Sequence, residues 1–304
     1  TRSTSGEVIN RVKDIIPNMI GGSADLGPSN KTYIKDGGDF SAKNYSGRNI
    51  HYGVREQAMS AIANGLALYG GIKNYVATFF VFSDYMKPMM RLSSLMELPV
   101  TYVFTHDSIG VGEDGPTHQP VEHLSMLRAI PNLIVYRPAD AQETIAGWYV
   151  ALTSKKTPVA LVLTRQNIEQ CKYSSKDALK GGYVIAKETK EKPDGIIIAT
   201  GSEVDLAIKA KEELLKDNID VRVVSMPSME LFEAQSQEYK DSVLLPEVRK
   251  RVVVEAAVSF GWGNYVGLDG KYVTMDKFGA SAPAKVLFEK FGFTVENVVK
   301  TVKS

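Results

Sequence analysis

The chain has 304 residues, 44% of them hydrophobic and 23% charged, a composition that excludes a disordered chain and predicts two folded domains. Its 36 basic and 35 acidic side chains leave a net charge of +1, which excludes an overall basic field that would attract nucleic acid or an anionic membrane. No apolar run reaches the roughly 18 residues of a membrane span, and "TRSTSGEVINRV" lacks the apolar segment of a signal peptide. Cys171 is the single cysteine, so we expect no internal disulfide and a cytoplasmic protein.

Apolar and polar stretches alternate along the first half of the chain. Helical spacing from Thr4 to Ile16, with Thr4 and Glu7 as a capping box, predicts the first helix. Residues 25–52, rich in Gly, Asn, Ser and Lys, predict a long loop. The predicted strands are "NMIGGS", "YVATFF", "VTYVFT", "LIVYR" and "PVALVLTR", and the predicted helices are "YMKPMMRLSSLMEL" and three that begin near residues 54, 121 and 140. Such alternation is typical of a parallel sheet covered on both faces by helices.

The second half of the chain predicts a smaller α/β domain. A polar stretch at residues 171–185 is the expected linker between residues 1–170 and residues 186–304. The expected strands are "GIIIATGSEV", which leads into a helix, "VRVVSM" and "VVVEAAVSFGWG", and the tail predicts a short strand and a helix. The predicted fold class is α/β in two domains, the larger with a parallel sheet.

The loop "HDSIGVGEDGPTHQP", residues 106–120, directly follows a predicted buried strand, where parallel sheets bind ligands. A zinc site formed by His106, His118 and His123 is disfavoured, because the intervals are twelve and five residues and no cysteine is near. Glycine turns with capping histidines are a second interpretation. Two histidines and Asp114 among glycines favour a site that binds hydroxyls and a phosphate and transfers protons near neutral pH.

The loop closely resembles the signature loop of transketolases. Other segments resemble that family in the family's order: "GGSADLGPSN" (21–30), "GVREQAM" (53–59), "ATFFVFSDY" (77–85), "RPADAQE" (137–143), "LTRQN" (163–167) and, in the small domain, "VVVEAAVSFGWGNYVG". The resemblance implies a thiamine-diphosphate-dependent enzyme of the pentose phosphate pathway. Such an enzyme transfers a two-carbon ketol unit from a ketose phosphate to an aldose phosphate, and the cofactor carries the chemistry while the protein orients the reactants.

The resemblance also implies a pyrimidine-binding domain at residues 1–170 and roles for single residues there. Glu56 matches the catalytic glutamate that bonds the cofactor's aminopyrimidine ring and favours its imino tautomer, which deprotonates the thiazolium carbon. The family usually has a histidine where this chain has Gln57. The residues that match the surroundings of the aminopyrimidine are Asp25, Leu26, Phe79, Phe82 and Tyr85.

Substrate contacts follow from the same match. His118 matches a catalytic histidine beside the substrate's C1 hydroxyl and carbonyl, and Asp114 matches a carboxylate that accepts a hydrogen bond from a substrate hydroxyl. Arg2, Ser29, His106 and Arg165 match the groups that bind the substrate phosphate. Guanidinium groups suit a phosphate because charge-assisted, bidentate hydrogen bonds are strong.

One motif of the family is missing from this chain. Relatives bind the diphosphate and its divalent cation through "GDG" and a downstream asparagine in an amino-terminal domain, and no "GDG" occurs here. We therefore expect Mg²⁺, or a similar cation, to be bound by a separate diphosphate-binding chain, in a heterotetramer with two copies of each chain. A split-gene subunit that is inactive alone is the favoured interpretation, and a fragment of a longer enzyme is the alternative. The helix "YMKPMMRLSSLMEL" is either a self-association surface or a cover for the core.

Other functions remain open alternatives. Dihydroxyacetone synthase, deoxyxylulose-phosphate synthase and the β subunit of a 2-oxoacid dehydrogenase share the scaffold. A non-catalytic scaffold partner is the alternative outside enzymes, but it has no need for Glu56, His106, Asp114, His118 and Arg165 together.

Overall fold

Six parallel strands form the sheet of the larger domain. The computed structural model describes residues 1–304. The strands are β1 (Met19–Ser23), β2 (Asn49–His51), β3 (Lys73–Phe79), β4 (Thr101–Thr105), β5 (Ile134–Tyr136) and β6 (Val159–Leu163), in the spatial order β2-β1-β3-β4-β6-β5. The central strands β4 and β6 are buried along their whole length, which explains their continuous apolar sequence.

The helices of the larger domain are α1 (Arg2–Val12), α2 (Gly27–Asn30), α3 (Glu56–Tyr69), α4 (Ser83–Leu95), α5 (His123–Arg128) and α6 (Ala141–Thr153), with short 3₁₀ turns at Phe80–Phe82 and Ile109–Val111. The predicted start of the first helix was wrong. Thr1 occupies the N-cap position, so Thr4 and Glu7 lie inside the helix and form no capping box. The predicted loop at residues 25–52 contains α2 and β2, each too short for a periodic sequence pattern to reveal.

The smaller domain has a mixed five-stranded sheet. Its strands are β7 (Tyr183–Ala186), β8 (Gly195–Ala199), β9 (Val221–Ser225), β10 (Arg251–Val254) and β11 (Lys271–Val273), in the order β11-β10-β8-β9-β7, with β7 antiparallel to β9. Its helices are α7 (Glu203–Lys216), α8 (Met229–Glu233), α9 (Gln237–Leu244), α10 (Gly263–Val266), α11 (Ala284–Lys290) and α12 (Val295–Lys303). The tail thus contributes β11 and two helices rather than the predicted one.

Buried charges and a shared apolar core join the two domains. Arg137, fully buried after β5, donates from Nε to Asp107 (3.0 Å) and from Nη1 to Thr200 Oγ1 (2.8 Å), and it pairs with Glu203. One apolar cluster extends from Trp148 in α6 to Val223 in β9. None of the helices is long and apolar enough to cross a bilayer.

Candidate active site

The carboxyl ends of five parallel strands converge on one edge of the larger sheet. Asp25 and Leu26 follow β1, Glu56 lies just beyond β2, and His106 and Arg165 follow β4 and β6. Phe79 is the last residue of β3, and Phe82 and Tyr85 lie at the turn into α4. Because the strands are parallel, residues that are far apart in the sequence meet at this edge.

A cavity of about 470 Å³ opens at this edge. Its lining residues are Ala24, Asp25, Leu26, Val54, Glu56, Phe79, Phe82, Tyr85 and His118. All six residues expected to surround the cofactor's aminopyrimidine are therefore brought together, along with His118, the expected catalytic residue of the substrate side. The cavity is mostly apolar and carries a few polar groups, the usual composition of a small-molecule site.

Aromatic rings form one wall of the cavity. The Phe79 and Phe82 rings are nearly parallel, with centroids 6.1 Å apart, and the Phe82 and Tyr85 centroids are also 6.1 Å apart. His118 meets Phe82 edge to face at 5.7 Å. Tyr85 remains 61% exposed, so this wall has free ring surface for a flat heteroaromatic group to contact.

Glu56 is the first residue of α3, and its side chain is an unpaired carboxylate at the cavity. The residue is only 9% exposed, yet its carboxylate forms no hydrogen bond and no salt bridge within the chain. The amino end of the helix dipole favours negative charge at this position. Gln57, the next residue, is exposed and does not line the cavity.

Two guanidinium groups lie together beside the cavity. Arg2 donates from Nη1 to the Ser29 carbonyl oxygen (2.6 Å) and from Nε to the Arg165 carbonyl oxygen (3.1 Å). The Thr164 amide donates to Thr1 Oγ1 (2.8 Å) and so joins the start of α1 to the end of β6. Neither arginine forms a salt bridge, and burial together with the Arg165 charge lowers the pKa of Arg2. An anion bound by both groups would offset their mutual repulsion.

His106 connects the two parts of the site. It adopts a left-handed backbone conformation (φ 63°), which costs a bulky residue about 1 kcal/mol or more and is typical of functional positions. Its ring stacks on Phe79 with centroids 3.6 Å apart, and its Nδ1 lies 2.8 Å from Thr105 Oγ1, which leaves Nε2 for a ligand. Burial, followed by the charges of Arg2, Arg165 and His118, lowers the pKa of His106 to about 3, so the free imidazole is neutral at pH 7.

The remaining predicted residues occupy different places. His118 is half-buried, and its Nδ1 lies 2.9 Å from Thr117 Oγ1. Asp114 is exposed on the same loop and does not line the cavity. His123 lies apart from both, buried with its Nε2 3.2 Å from Asp84. No group of three or more His, Cys, Asp or Glu side chains in the structure could bind a metal ion.

The sequence interpretation missed the polar residues that support this edge. Thr105 donates to Asn30 Oδ1 (2.6 Å), and Asn30 Nδ2 donates to Ser23 (3.2 Å). This buried chain connects the ends of β4 and β1 through α2. Its only sequence signal is a hydroxyl or amide residue at the end of an otherwise apolar strand.

Comparison with protein-family models identifies both domains. Residues 1–170 match the family model "Transketolase, pyrimidine binding domain", and residues 181–294 match "Transketolase-like TK C-terminal domain". The chain belongs to the transketolase family. This family of transferase enzymes was the one suggested by the signature loop, and the predicted α/β fold class in two domains is also confirmed.

Individual transketolases resemble the chain along its whole length. It is 57% identical to the transketolase of Bacillus subtilis and 54% identical to that of Geobacillus stearothermophilus, and it covers 46% of each of those proteins. The structure of the Pichia stipitis transketolase in complex with sedoheptulose 7-phosphate superposes with a TM-score of 0.95 at 47% identity, again over 46% of that chain. The chain thus spans about half the length of the curated relatives it matches.

Another solved structure matches this chain over almost the whole length of both chains. The split-gene transketolase described as an inactive β4 tetramer superposes with a TM-score of 0.77 at 26% identity. The match covers 99% of this chain and 96% of that one. Transketolase halves with these two domains therefore occur as separate polypeptides.

Proposed function

We propose that this chain supplies the pyrimidine-binding half of a thiamine-diphosphate-dependent transketolase, which transfers a two-carbon ketol unit from a ketose phosphate to an aldose phosphate. The observation that carries the proposal is one continuous edge: an aromatic cavity with the unpaired carboxylate of Glu56 meets the unpaired guanidinium groups of Arg2 and Arg165 through His106 and His118.

The cavity suits an aminopyrimidine ring. Its wall of Phe79, Phe82 and Tyr85 offers stacking surface, worth about 0.5–1.5 kcal/mol per ring beyond burial. The Glu56 carboxyl group has no partner in the chain, and it would bond a ring nitrogen and exchange a proton with it. When bound, thiamine diphosphate supplies the nucleophilic carbon atom and stabilises negative charge during the transfer.

The loop and the arginine pair suit a phosphorylated sugar. His118 lies at the cavity wall, where its imidazole would move protons at the substrate's C1 hydroxyl and carbonyl, and the exposed Asp114 carboxylate would accept a hydrogen bond from a substrate hydroxyl. Arg2 and Arg165, with His106 and Ser29 beside them, would bind the phosphate. A bound dianion would also raise the pKa of His106 from its low value in the free site.

The diphosphate and its cation do not fit residues of this chain. No cluster of carboxylate or histidine side chains could bind Mg²⁺. We infer that a second, diphosphate-binding chain supplies these ligands, in an assembly with two copies of each chain, and that this chain alone is inactive. The half-length split-gene neighbour supports the inference. Helix α4 could serve self-association as well as the core, since it buries Met86 and Met90 while Leu95 stays 68% exposed.

Calorimetry tests the proposal directly. Thiamine diphosphate with Mg²⁺ is titrated into this chain alone and into its mixture with the product of the adjacent gene, and ketol transfer to ribose 5-phosphate is then assayed. We expect binding and transfer only in the mixture. Tight binding by this chain alone would contradict the division of the cofactor site. Turnover of a 2-oxoacid in place of the ketose phosphate, or of formaldehyde in place of the aldose phosphate, would favour the related enzymes that share the scaffold. A mixture without turnover would favour a scaffold role.

A further inference from the structure

We propose that the small-domain segment at residues 279–282 positions Asp114 and His118 of the larger domain for the substrate. The inference rests on the proposed function and adds positioning residues to that site. None of the sequence motifs assigned the small domain a part in the chemistry. Its contacts with the signature loop, however, are made by the residues adjacent to Asp114 and His118.

Gln119, the residue that follows His118, is bonded to the small domain. Its side chain is 2% exposed, and Nε2 donates to the carbonyl oxygens of Ala280 (2.9 Å) and Gly112 (2.8 Å). A single amide group therefore joins the small domain to both sides of the loop. The approach is close, because a Cβ atom at Gly279 would lie 1.8 Å from Gln119 Oε1.

Glu113, the residue before Asp114, is bonded to the same segment. The Ser281 hydroxyl donates to the Glu113 carbonyl oxygen. Gly115, with φ at 80°, packs beside Ser281, and a Cβ atom there would lie 3.3 Å from the serine Cβ. The stretch that carries Asp114 and His118 is thus bonded to residues 280 and 281 at both of its ends.

The larger domain provides little to fix this stretch by itself. Its own backbone hydrogen bonds there are two turns, from the Gly115 amide to the Gly112 carbonyl oxygen (3.1 Å) and from the His118 amide to the Gly115 carbonyl oxygen (3.0 Å). The side-chain bonds that it adds are the one from Gln119 to Gly112 and the contact between Thr117 and His118. Glycines at these positions leave the backbone many accessible conformations. Catalytic groups must lie within about 0.5 Å of their productive positions, so the bonds to the neighbouring domain add a constraint that these turns lack.

Further contacts anchor the start of the loop to the small domain. The 3₁₀ turn Ile109–Val111 packs against α11, and Asp107 bonds Arg137, which pairs with Glu203 of α7. Residues 279–282 therefore complete a series of interdomain contacts that begins next to His106. This series gives the small domain a function in the site although it contributes no residue to the cavity.

Hydrogen exchange tests the inference without any activity measurement. In the chain alone, Ser281→Ala and Gln119→Ala should speed exchange of the Gly115 and His118 amides by about tenfold or more, because the anchoring bonds are lost. Ser281→Thr keeps the hydroxyl and should match the parent. Tyr183→Phe is the matched control, since it removes an interdomain hydrogen bond that does not involve the loop. Unchanged exchange in both alanine variants would overturn the proposal. If Gln119→Ala fails to fold, the comparison of Ser281→Ala with Ser281→Thr decides, because Ser281 is exposed.

Kinetics of the assembled enzyme provide the second readout. Ser281→Ala and Gln119→Ala should lower kcat/KM for the ketose phosphate by about 10- to 100-fold. Thiamine diphosphate affinity should change much less, because Glu56, Phe79 and Phe82 lie on other elements. An unchanged kcat/KM, or an equal loss of cofactor affinity, would overturn the positioning role. If the parent assembly shows no ketol transfer, the proposed function fails, and the exchange experiment still decides whether the segment fixes the loop.

Discussion

Charged residues at the cavity and charged residues between the domains have opposite surroundings. At the cavity, Glu56, Arg2 and Arg165 have no oppositely charged partner within the chain. Between the domains, Arg128 binds Glu255 through two hydrogen bonds (2.8 and 2.9 Å), and Arg137 lies between Asp107 and Glu203. The interdomain side chains are almost completely buried, whereas Glu56 is buried, Arg2 is half-buried and Arg165 is exposed.

The two sets differ in whether each charge has a partner. A partner matters most for a buried charge, because an unpaired charge removed from water is costly. Loss of hydration costs several kcal/mol per buried ion, and a partner of opposite charge offsets this cost. The interdomain charges are offset within the chain and therefore stabilise one orientation of the domains. Glu56, Arg2 and Arg165 have no such partner within the chain, so they are free to pair with a bound ligand.

Removal of the Glu56 carboxylate should produce the largest effect at the unpaired set. In the assembled enzyme, Glu56→Ala should lower kcat by about 10²- to 10⁴-fold, the usual contribution of a positioned acid or base. Steady-state ketol transfer measures this loss. Glu238→Ala, which removes an exposed acid from the first turn of α9, is the matched control and should leave kcat unchanged. Near-normal turnover of the Glu56 variant would refute its assigned role.

A smaller and more selective effect is expected at the arginine pair. Arg165→Ala should raise KM for phosphorylated acceptors by about 10- to 150-fold, since a hydrogen bond to a charged group contributes about 1.5–3 kcal/mol. The KM for unphosphorylated acceptors should change little. Arg249→Ala is the control, because Arg249 forms an exposed surface pair with Asp269. An equal rise of KM for both acceptor classes would show that Arg165 does not bind the phosphate.

The sequence predicted the fold where the apolar pattern was long and periodic. The buried strands β3, β4 and β6 were all located, because a parallel strand covered on both faces is apolar throughout. The start of α1 was missed by three residues, since the Thr4 and Glu7 spacing fits a capping box as well as it fits the interior of a helix. Neither α2 nor β2 is long enough to produce a period.

The candidate site was predictable where residues follow strand ends in recognisable motifs. The structure brings Glu56, Phe79, Phe82 and His118 around one cavity, although more than sixty residues separate the first from the last in the chain. The roles of these residues remain predictions. The supporting contacts of Gln119 and Ser281 were not predictable, because they depend on how two domains pack, and a side-chain amide that bonds two backbone carbonyl oxygens has no sequence pattern.

The smallest effect is expected from pH at the interdomain surface. Burial of Glu143 raises the pKa of its carboxyl group from 4.5 to about 7, although Ser225, the Ala139 amide and Tyr183 donate hydrogen bonds to it. The folded chain therefore binds more protons than the unfolded chain between these two pH values. The contribution of Glu143 to stability is complete below pH 4.5 and is lost as the pH rises through about 7.

Glu143→Gln should remove this dependence while keeping the site satisfied. The glutamine oxygen can accept from the Ala139 amide, and its NH₂ group can donate to the Tyr183 and Ser225 hydroxyls, which also accept. Between pH 6.0 and 7.5 the parent should lose about 1 kcal/mol of unfolding free energy more than the variant. Urea unfolding at both pH values measures the difference, and comparing the two proteins cancels the opposite contribution of His106, whose lowered pKa costs stability as the pH falls below 6.5. If the unfolding free energies of the two proteins change in parallel with pH, Glu143 is ionised in the folded chain. It would then resemble the ionised interdomain carboxylates Asp107 and Glu255.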